Sequence, residues 1–392
     1  MTDGQVAILG YYGFANTGDE ALLGSLAGRI RAGYPQRPLV VFSGDPDYTE
    51  RVHKIEARLA VVPATFRELV IRSLGRSRGV FFRSLRTFIN TKVLIVGGGG
   101  LFFDHPDYNI YLIRLLQKIN WAKRLGMKVA VIGVGVGPLY HDASKKLLRK
   151  TLSRVDLITV REPESGQLLQ TLDVSGPPIH VTADLAYLLE AAPADTARET
   201  LKRAGFMFDD KPKVAVCLCG RHADRPEYRD AVVSFCRRAV TQMGARIWFL
   251  PFQTGAGYDD RPGMRSIAEA VDRPGRVYFL EEADDPGVML AAVKQADLVL
   301  GERFHAAIFA LIGSVPVVGI SYFPKVERLF QEIEHPEWCI NLESISAEAL
   351  NAALDNVWER RDEVKKQLAD AYDSMRRKSE RNFDLLAEVL EA

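Results

Sequence analysis

The chain has 392 residues, 47% hydrophobic and 26% charged, so it is long enough for two domains with cores of their own and too apolar to stay disordered. Its formal net charge is +1, which excludes whole-molecule attraction to nucleic acid and leaves any electrostatic recognition to local patches. The four cysteines, Cys217, Cys219, Cys236 and Cys339, form no Cys-x-x-Cys pair and read as small core residues in a reducing compartment, not as a metal knuckle.

The first residues, MTDGQVAILGYYG, lack a basic region followed by a long apolar segment. No window approaches ~18 consecutive apolar residues, so neither a secretory leader nor a spanning helix is expected. The expected location is the cytoplasm, or the inner face of the cell membrane.

Short apolar runs rich in β-branched residues then alternate with amphipathic stretches, the pattern of a parallel sheet covered by helices. Gln5–Leu9, Leu39–Ser43, Val93–Val96, Val129–Gly133 and Leu157–Val160 read as buried strands. The first opens into Gly10-Tyr11-Tyr12-Gly13-Phe14-Ala15-Asn16-Thr17-Gly18-Asp19-Glu20, at the strand end where open α/β sheets place ligand loops. Its glycine spacing is not a dinucleotide fingerprint, and it has no Walker Lys-Ser/Thr pair. Asn16, Asp19 and Glu20 beside small residues suit a loop that hydrogen-bonds a sugar or positions an acceptor hydroxyl. A plainer role for Thr17 or Asp19 is to cap the following helix. Asp45-Pro46-Asp47 reads as a turn.

Residues 65–88 hold six arginines (67, 72, 76, 78, 83 and 86) and one acidic residue, Glu68, interleaved with Leu69, Val70, Leu74, Phe81, Phe82 and Phe88. That composition matches an interfacial helix pair resting on anionic headgroups, or an ordinary hairpin with a solvated basic face. Gly97-Gly98-Gly99-Gly100-Leu101-Phe102-Phe103-Asp104 is expected to be a loop whose amides, with Gly99, Gly100 and Asp104, face a ligand. Gly133-Val134-Gly135-Val136-Gly137-Pro138 is expected to line the same sheet edge.

After the short strand Ile179–Thr182 and a connector at Ala191–Asp195, a second series begins. Val214–Leu218, Ile247–Pro251, Val277–Leu280, Leu298–Leu300 and Val317–Ile320 read as its strands. The expected fold is α/β: two Rossmann-like domains, 1–188 and 189–392, facing a cleft. A C-terminal helical segment from about Ser346 packs back on the first domain, or lies exposed at a subunit interface.

Leu218-Cys219-Gly220-Arg221-His222 and Gly301-Glu302-Arg303-Phe304-His305 both follow strands of the second series, and Lys325 follows the last one. Arg221, Arg303, Lys325 and a helix N-terminus together suit a small molecule bearing phosphate and carboxylate. His305 has the titration range of a proton donor near neutrality, with a reference pKa of ~6.5; a core histidine bonded to a carbonyl is the plainer reading. His105 and His222 could support the site from behind, and no pair of histidines has metal-ligand spacing, so no metal is expected.

Taken in order, GYYGFANTGDEALL, GGGGLFFD, GVGVGPL, VREPES and GERFHAAIFALIGSVPVVGISYFPKV resemble the polysaccharide pyruvyl transferase family over nearly the whole chain, and its bacterial cell-wall branch in particular. The resemblance implies a GT-B-like fold and transfer of an enolpyruvyl unit from phosphoenolpyruvate to a sugar, forming a cyclic ketal. It matches Arg303 to the donor-holding arginine and His305 to the acid, with Phe304 between them in the donor site. Arg221 and Lys325 complete the donor set. It implies an acceptor containing N-acetylmannosamine on undecaprenyl diphosphate, and no cofactor. A base for the sugar hydroxyl is open among Asp19, Glu20 and Asp104, and Glu302 could hold Arg303 or His305 in place. The rival readings are a GT-B glycosyltransferase using a sugar nucleotide and a non-enzymatic sugar- or anion-binding partner of envelope assembly.

Overall fold

A computed structural model of the chain describes residues 4–61, 68, 70, 71, 73, 78–255, 258–282 and 284–391. Two compact units result. The first takes Met1–Phe14, Asp19–Leu189 and Met375–Ala392, and the second takes Ala15–Gly18 and Glu190–Ser374.

In the first unit, β1 (Gln5–Leu9), β2 (Leu39–Ser43), β3 (Glu56–Leu59), β4 (Thr91–Phe102), β5 (Lys128–Val136), β6 (Leu157–Val160) and β7 (Ile179–Val181) form one parallel sheet. Its order is β3-β2-β1-β4-β5-β6-β7. Val6, Ala7, Ile8, Leu94, Ile95 and Val96 are fully buried, because helices cover both faces and leave no polar side to the sheet. Each of these side chains except that of Ala7 contributes about 1.5–3 kcal/mol of burial free energy, which is what holds short strands in place.

The two glycine-rich segments are strand, not loop. β4 and β5 continue through them, pairing Gly97 with Ile132, Gly99 with Val134 and Gly100 with Gly135. Gly98 carries φ +74, and a β-carbon there would lie 2.7 Å from the Cβ of Leu22. The run therefore lets helix Thr17–Gly33 sit close on the sheet, a packing role the residue types alone did not separate from an anion loop.

The second unit repeats the plan. β8 (Lys213–Cys217), β9 (Arg246–Phe249), β12 (Val277–Phe279), β13 (Leu298–Gly301), β14 (Val317–Ser321) and β15 (Cys339–Asn341) form a parallel sheet in the order β12-β9-β8-β13-β14-β15. A two-residue ladder, β10 (Thr254–Gly255) with β11 (Tyr258–Asp259), stands apart from it. In both sheets the order reverses beside the first strand, at β1/β4 and at β8/β13. Ligands of open α/β sheets lie outside the carboxyl ends of the strands at such points.

The last helix, Arg361–Glu391, ends in the first unit, as expected. Asn382 and Ser379 are fully buried there. Ser379 Oγ donates to the carbonyl of Asp184 at 2.9 Å and Asn382 Nδ2 to that of Ala183 at 3.2 Å, while Thr182 donates back to Asn382 Oδ1 at 2.9 Å.

Candidate active site

The switch point of the second sheet gathers the charged residues. Arg303 caps helix Phe304–Gly313 directly after β13, and its Nε donates to Asp260 Oδ2 at 3.0 Å while a terminal nitrogen holds Oδ1. Burial works against the guanidinium charge, but Asp260 outweighs it and lifts the Arg303 pKa above its ordinary value. Asp260 also accepts from the N–H groups of Gly220 (3.0 Å) and Gln253 (3.1 Å). It thereby ties three chain segments to one carboxylate that is 2% exposed.

Arg221 and Arg303 line one cavity of about 480 Å³, together with Gly220, Asp224, Asp260 and Gly263. Asp260 and Arg303 stand at the starts of helices Arg261–Val271 and Phe304–Gly313, so two helix N-termini add partial positive charge at its wall. Asp259, also in the lining, is paired with Arg261 at 2.8 Å. His305 and Lys325 are not among the lining residues. His305 lies in the first turn of helix Phe304–Gly313 and Lys325 in the first turn of helix Pro324–Glu332; Lys325 Nζ lies 5.4 Å from the Phe304 ring centre, and Phe304 meets His305 edge-on at 5.3 Å.

Residues 15–18 belong to this unit. Thr17 N–H donates to the carbonyl of Phe252 at 2.8 Å and Thr254 N–H to that of Ala15 at 3.0 Å. Asn16 donates to Gln253 Oε1 at 2.6 Å and accepts from Gly18 N–H at 3.0 Å. A β-carbon at Gly18 would fall 1.9 Å from His305 Nδ1, so the ring rests directly on this glycine.

Glu302 serves neither Arg303 nor His305. It is fully buried and accepts from Cys219 N–H (2.6 Å), the Tyr228 hydroxyl (2.6 Å) and His222 Nδ1. The clamp on Arg303 is Asp260, a residue the sequence reading did not single out. Its local signal, an aspartate ahead of Arg261-Pro262, announces a helix start. Its partner 43 positions away does not show in any spacing.

The remaining sequence candidates fall in the first unit. Asp19 is half-buried in the first turn of helix Thr17–Gly33, with Oδ1 3.0 Å from where a Gly99 β-carbon would stand. Gly100 is exposed, with nothing near its α-carbon's open side. Glu20 is fully buried, accepting from Gly13 N–H at 2.8 Å and facing His53 Nε2 at 2.8 Å, so its carboxylate holds the glycine loop. Asp104 is 4% exposed and accepts from the N–H groups of Tyr140 (2.6 Å) and His141 (3.3 Å). Burial by itself raises the Asp104 carboxyl, but these donors outweigh it and hold the pKa below the usual range.

The first unit has a cavity of its own, about 350 Å³, at the ends of β1, β2 and β3. Tyr11, Phe14 and Tyr111 line it with Arg114 and Lys118, and the rings of Tyr11 and Phe14 stack at 4.2 Å. A run of aromatic residues after a strand was the readable signal for it; Tyr111, Arg114 and Lys118 come from a distant helix.

The fold is that of GT-B-type glycosyltransferases and epimerases. A UDP-GlcNAc 2-epimerase from Methanocaldococcus jannaschii superposes with TM-score 0.64 at 15% identity, over 98% of this chain and 99% of that one. A glycosyltransferase from Rickettsia africae does so with TM-score 0.62 at 10% identity, over 99% of each chain.

The chain belongs to the polysaccharide pyruvyl transferase family, whose model matches residues 16–322. It is 22% identical over 261 residues to the amylovoran biosynthesis protein AmsJ of Erwinia amylovora, covering 63% of this chain and 62% of that relative, less than two thirds of its length.

Proposed function

We propose that the protein transfers an enolpyruvyl unit from phosphoenolpyruvate to a lipid-linked cell-wall saccharide containing N-acetylmannosamine, closing a pyruvate ketal and releasing phosphate. Family membership supports pyruvyl transfer in polysaccharide synthesis. The observation that carries the donor is the cavity with Arg221 and Arg303 at the switch point of the second sheet. Phosphoenolpyruvate is a small, dense anion, and guanidinium groups with helix N-termini are strong partners for phosphate and carboxylate. Arg303 keeps its charge through Asp260, and Lys325, in helix Pro324–Glu332, holds its Nζ over the Phe304 ring.

His305 is the acid in this reading. It delivers a proton to the methylene carbon of the donor, leaving a cationic carbon stabilised by its enol oxygen. A sugar hydroxyl attacks that carbon and loses its proton. Phosphate then leaves with the C–O bonding pair, and a second hydroxyl of the same sugar closes the ring and loses its own proton. The net change is donor plus diol giving ketal plus phosphate. The second unit takes the donor, and the aromatic cavity of the first, with Tyr11 and Phe14, takes a sugar ring on its apolar face. The base for the sugar hydroxyl is one of Asp19, Glu20 and Asp104; Glu20 accepts from Gly13 N–H and faces His53, and Asp104 accepts from the N–H groups of Tyr140 and His141.

The same reading puts the chain at a membrane surface. No helix of the described residues is long and apolar enough to cross a membrane. Helix Arg78–Asn90 buries Phe81, Ser84 and Phe88 and exposes Phe82 and Ile89 beside Arg83 and Arg86, a face suited to anionic headgroups. The rest of the basic stretch, from 65 to 77, falls largely outside the described residues.

Phosphate release from phosphoenolpyruvate tests the proposal. Release that depends on a lipid-linked N-acetylmannosamine-containing acceptor is expected. Absence of release with such acceptors, together with nucleotide release from a UDP- or GDP-sugar, would favour the glycosyltransferase reading instead.

A further inference from the structure

Beside the donor cavity lies a group of side chains that proton transfer from His305 does not use. Glu302 takes three donors at full burial: Cys219 N–H, the Tyr228 hydroxyl and His222. The His222 ring is wedged edge-on between Tyr228, at 5.9 Å, and Tyr322, at 5.0 Å. Its other nitrogen, Nε2, lies 3.3 Å from Arg221 Nε.

An arginine Nε–H can only donate, so His222 Nε2 is the acceptor and Nδ1 carries the proton that Glu302 receives. The Arg221 guanidinium also lies over the Tyr322 ring, 5.2 Å from its centre. Arg221 is exposed to solvent, and among the described residues nothing bonds its two terminal nitrogens. The guanidinium is therefore fixed at Nε and along one face, with both terminal NH2 groups left to meet an anion in the cavity it lines.

We propose that Glu302 and His222 form a positioning pair that sets the orientation of Arg221 for the phosphate of the donor. The inference rests on the donor reading above. Freezing a long side chain before binding removes a cost of about 0.5–1.5 kcal/mol that a loose one meets on binding. A buried carboxylate is costly unless its oxygens are bonded, and of the three donors on Glu302 it is His222 that passes this order on to Arg221, an arginine with no carboxylate partner among the described residues.

Cys219, His222 and Glu302 also bring one potential ligand atom each within 4.8 Å of one another. A cation there would have to displace the three donors on Glu302 and would stand beside Arg221 and Arg303. Burial pushes the Cys219 thiol up to about 11, so it is not a ready thiolate. The positioning pair is the reading the contacts favour.

The experiment measures phosphoenolpyruvate binding by calorimetry, and KM against kcat, for the full chain and for His222→Ala, His222→Gln, Arg221→Ala and the double variant His222→Ala/Arg221→Ala. Glutamine keeps an acceptor near the Nε2 position. His222→Ala should weaken donor binding about three- to tenfold, with kcat nearly unchanged. His222→Gln should recover most of that loss, and the double variant should bind no worse than Arg221→Ala alone.

If the native chain binds the donor and His222→Ala binds it equally well, or the two single losses simply add, the positioning pair is wrong while the donor site stands. If the native chain does not bind phosphoenolpyruvate, the donor reading falls and takes the pair with it. Stoichiometric metal in the purified protein that is lost on Glu302→Gln would overturn the pair as well.

Discussion

His305 Nδ1 occupies the space that a side chain on residue 18 would need: a β-carbon on Gly18 would sit 1.9 Å from it. Two sequence blocks that lie almost 300 positions apart in the chain thus meet at a glycine and a histidine. Gly18→Ala should push the ring aside. Because residue 18 lies in the first turn of a helix, alanine does not weaken the helix itself. Misplacing a reacting group by ~1 Å can cost about 10²-fold in rate. We therefore expect acceptor-dependent phosphate release to fall by about that factor while the melting temperature holds. Normal turnover in Gly18→Ala would remove His305 from the reaction.

In the proposed reaction, removing the acid and removing the donor's anchor should fail differently. His305→Ala should lower kcat by about 10²–10⁴ with donor affinity retained. Arg303→Ala should weaken donor binding by about 1.5–3 kcal/mol, the worth of hydrogen bonds to a charged group. Parallel calorimetry and single-turnover kinetics separate the two. Matching losses in both parameters for both variants would mean that the roles are not divided this way.

Asp260 is the structural partner of that arginine, and its loss should be felt as stability. It holds Arg303, Gly220 N–H and Gln253 N–H with one buried carboxylate. Asp260→Ala strands all three, and breaking a buried pair from one side costs about 3–5 kcal/mol. Urea denaturation should show a lower midpoint with unchanged slope. A midpoint equal to the native one would mean that solvent replaces the carboxylate without penalty.

The strands were legible because each is a short, continuous apolar run, and Gln5–Leu9, Leu39–Ser43 and Leu157–Val160 coincide with β1, β2 and β6 residue for residue. Glu56–Leu59 and Cys339–Asn341 escaped notice since these edge strands are short, and one of them reads Glu-Ala-Arg-Leu, with two charged residues in four. Arg221 and Arg303 could be placed on one sheet edge from strand ends alone, and they do line one cavity. What sequence could not separate is which carboxylate serves which cation. Glu302 adjoins Arg303 in the chain yet serves His222, because the side chains of successive residues at a strand end turn to opposite sides. Gly97–Gly100 misled for a related reason: a glycine run permits a loop, but it equally permits a helix to approach a sheet.

Acid should act on the first unit through Asp104. Its folded pKa lies below the usual carboxylate range of about 3.9, held there against burial by the N–H groups of Tyr140 and His141. A carboxyl depressed on folding adds stability that is complete above its unfolded pKa. That stability is lost as pH falls from there through the folded value. Asp104→Asn should therefore be less stable than the native chain at neutral pH, with the gap closing below about pH 4. Urea titrations at several pH values measure the gap, and a gap that widened on acidification would contradict the assignment.

The proposed membrane contact through helix Arg78–Asn90 makes a distinct demand on lipid composition. Phe82 and Ile89 are 49% and 53% exposed and lie one heptad apart, so they share a face, while Arg83 and Arg86 are exposed on the same outward side. Apolar insertion alone would not depend on lipid charge, whereas arginines near an anionic surface contribute attraction that salt screens. The native chain should co-sediment with phosphatidylserine-rich vesicles at low salt and less with phosphatidylcholine vesicles. Reversing both charges, Arg83→Glu with Arg86→Glu, should weaken that binding by more than roughly thirtyfold, the effect of removing two arginines alone. Phe82→Ser with Ile89→Ser should weaken binding to both kinds of vesicle, and neither pair touches the donor cavity, so phosphate release with a soluble acceptor should persist. Binding that ignored all four substitutions would place the lipid-linked acceptor's entry elsewhere on the protein.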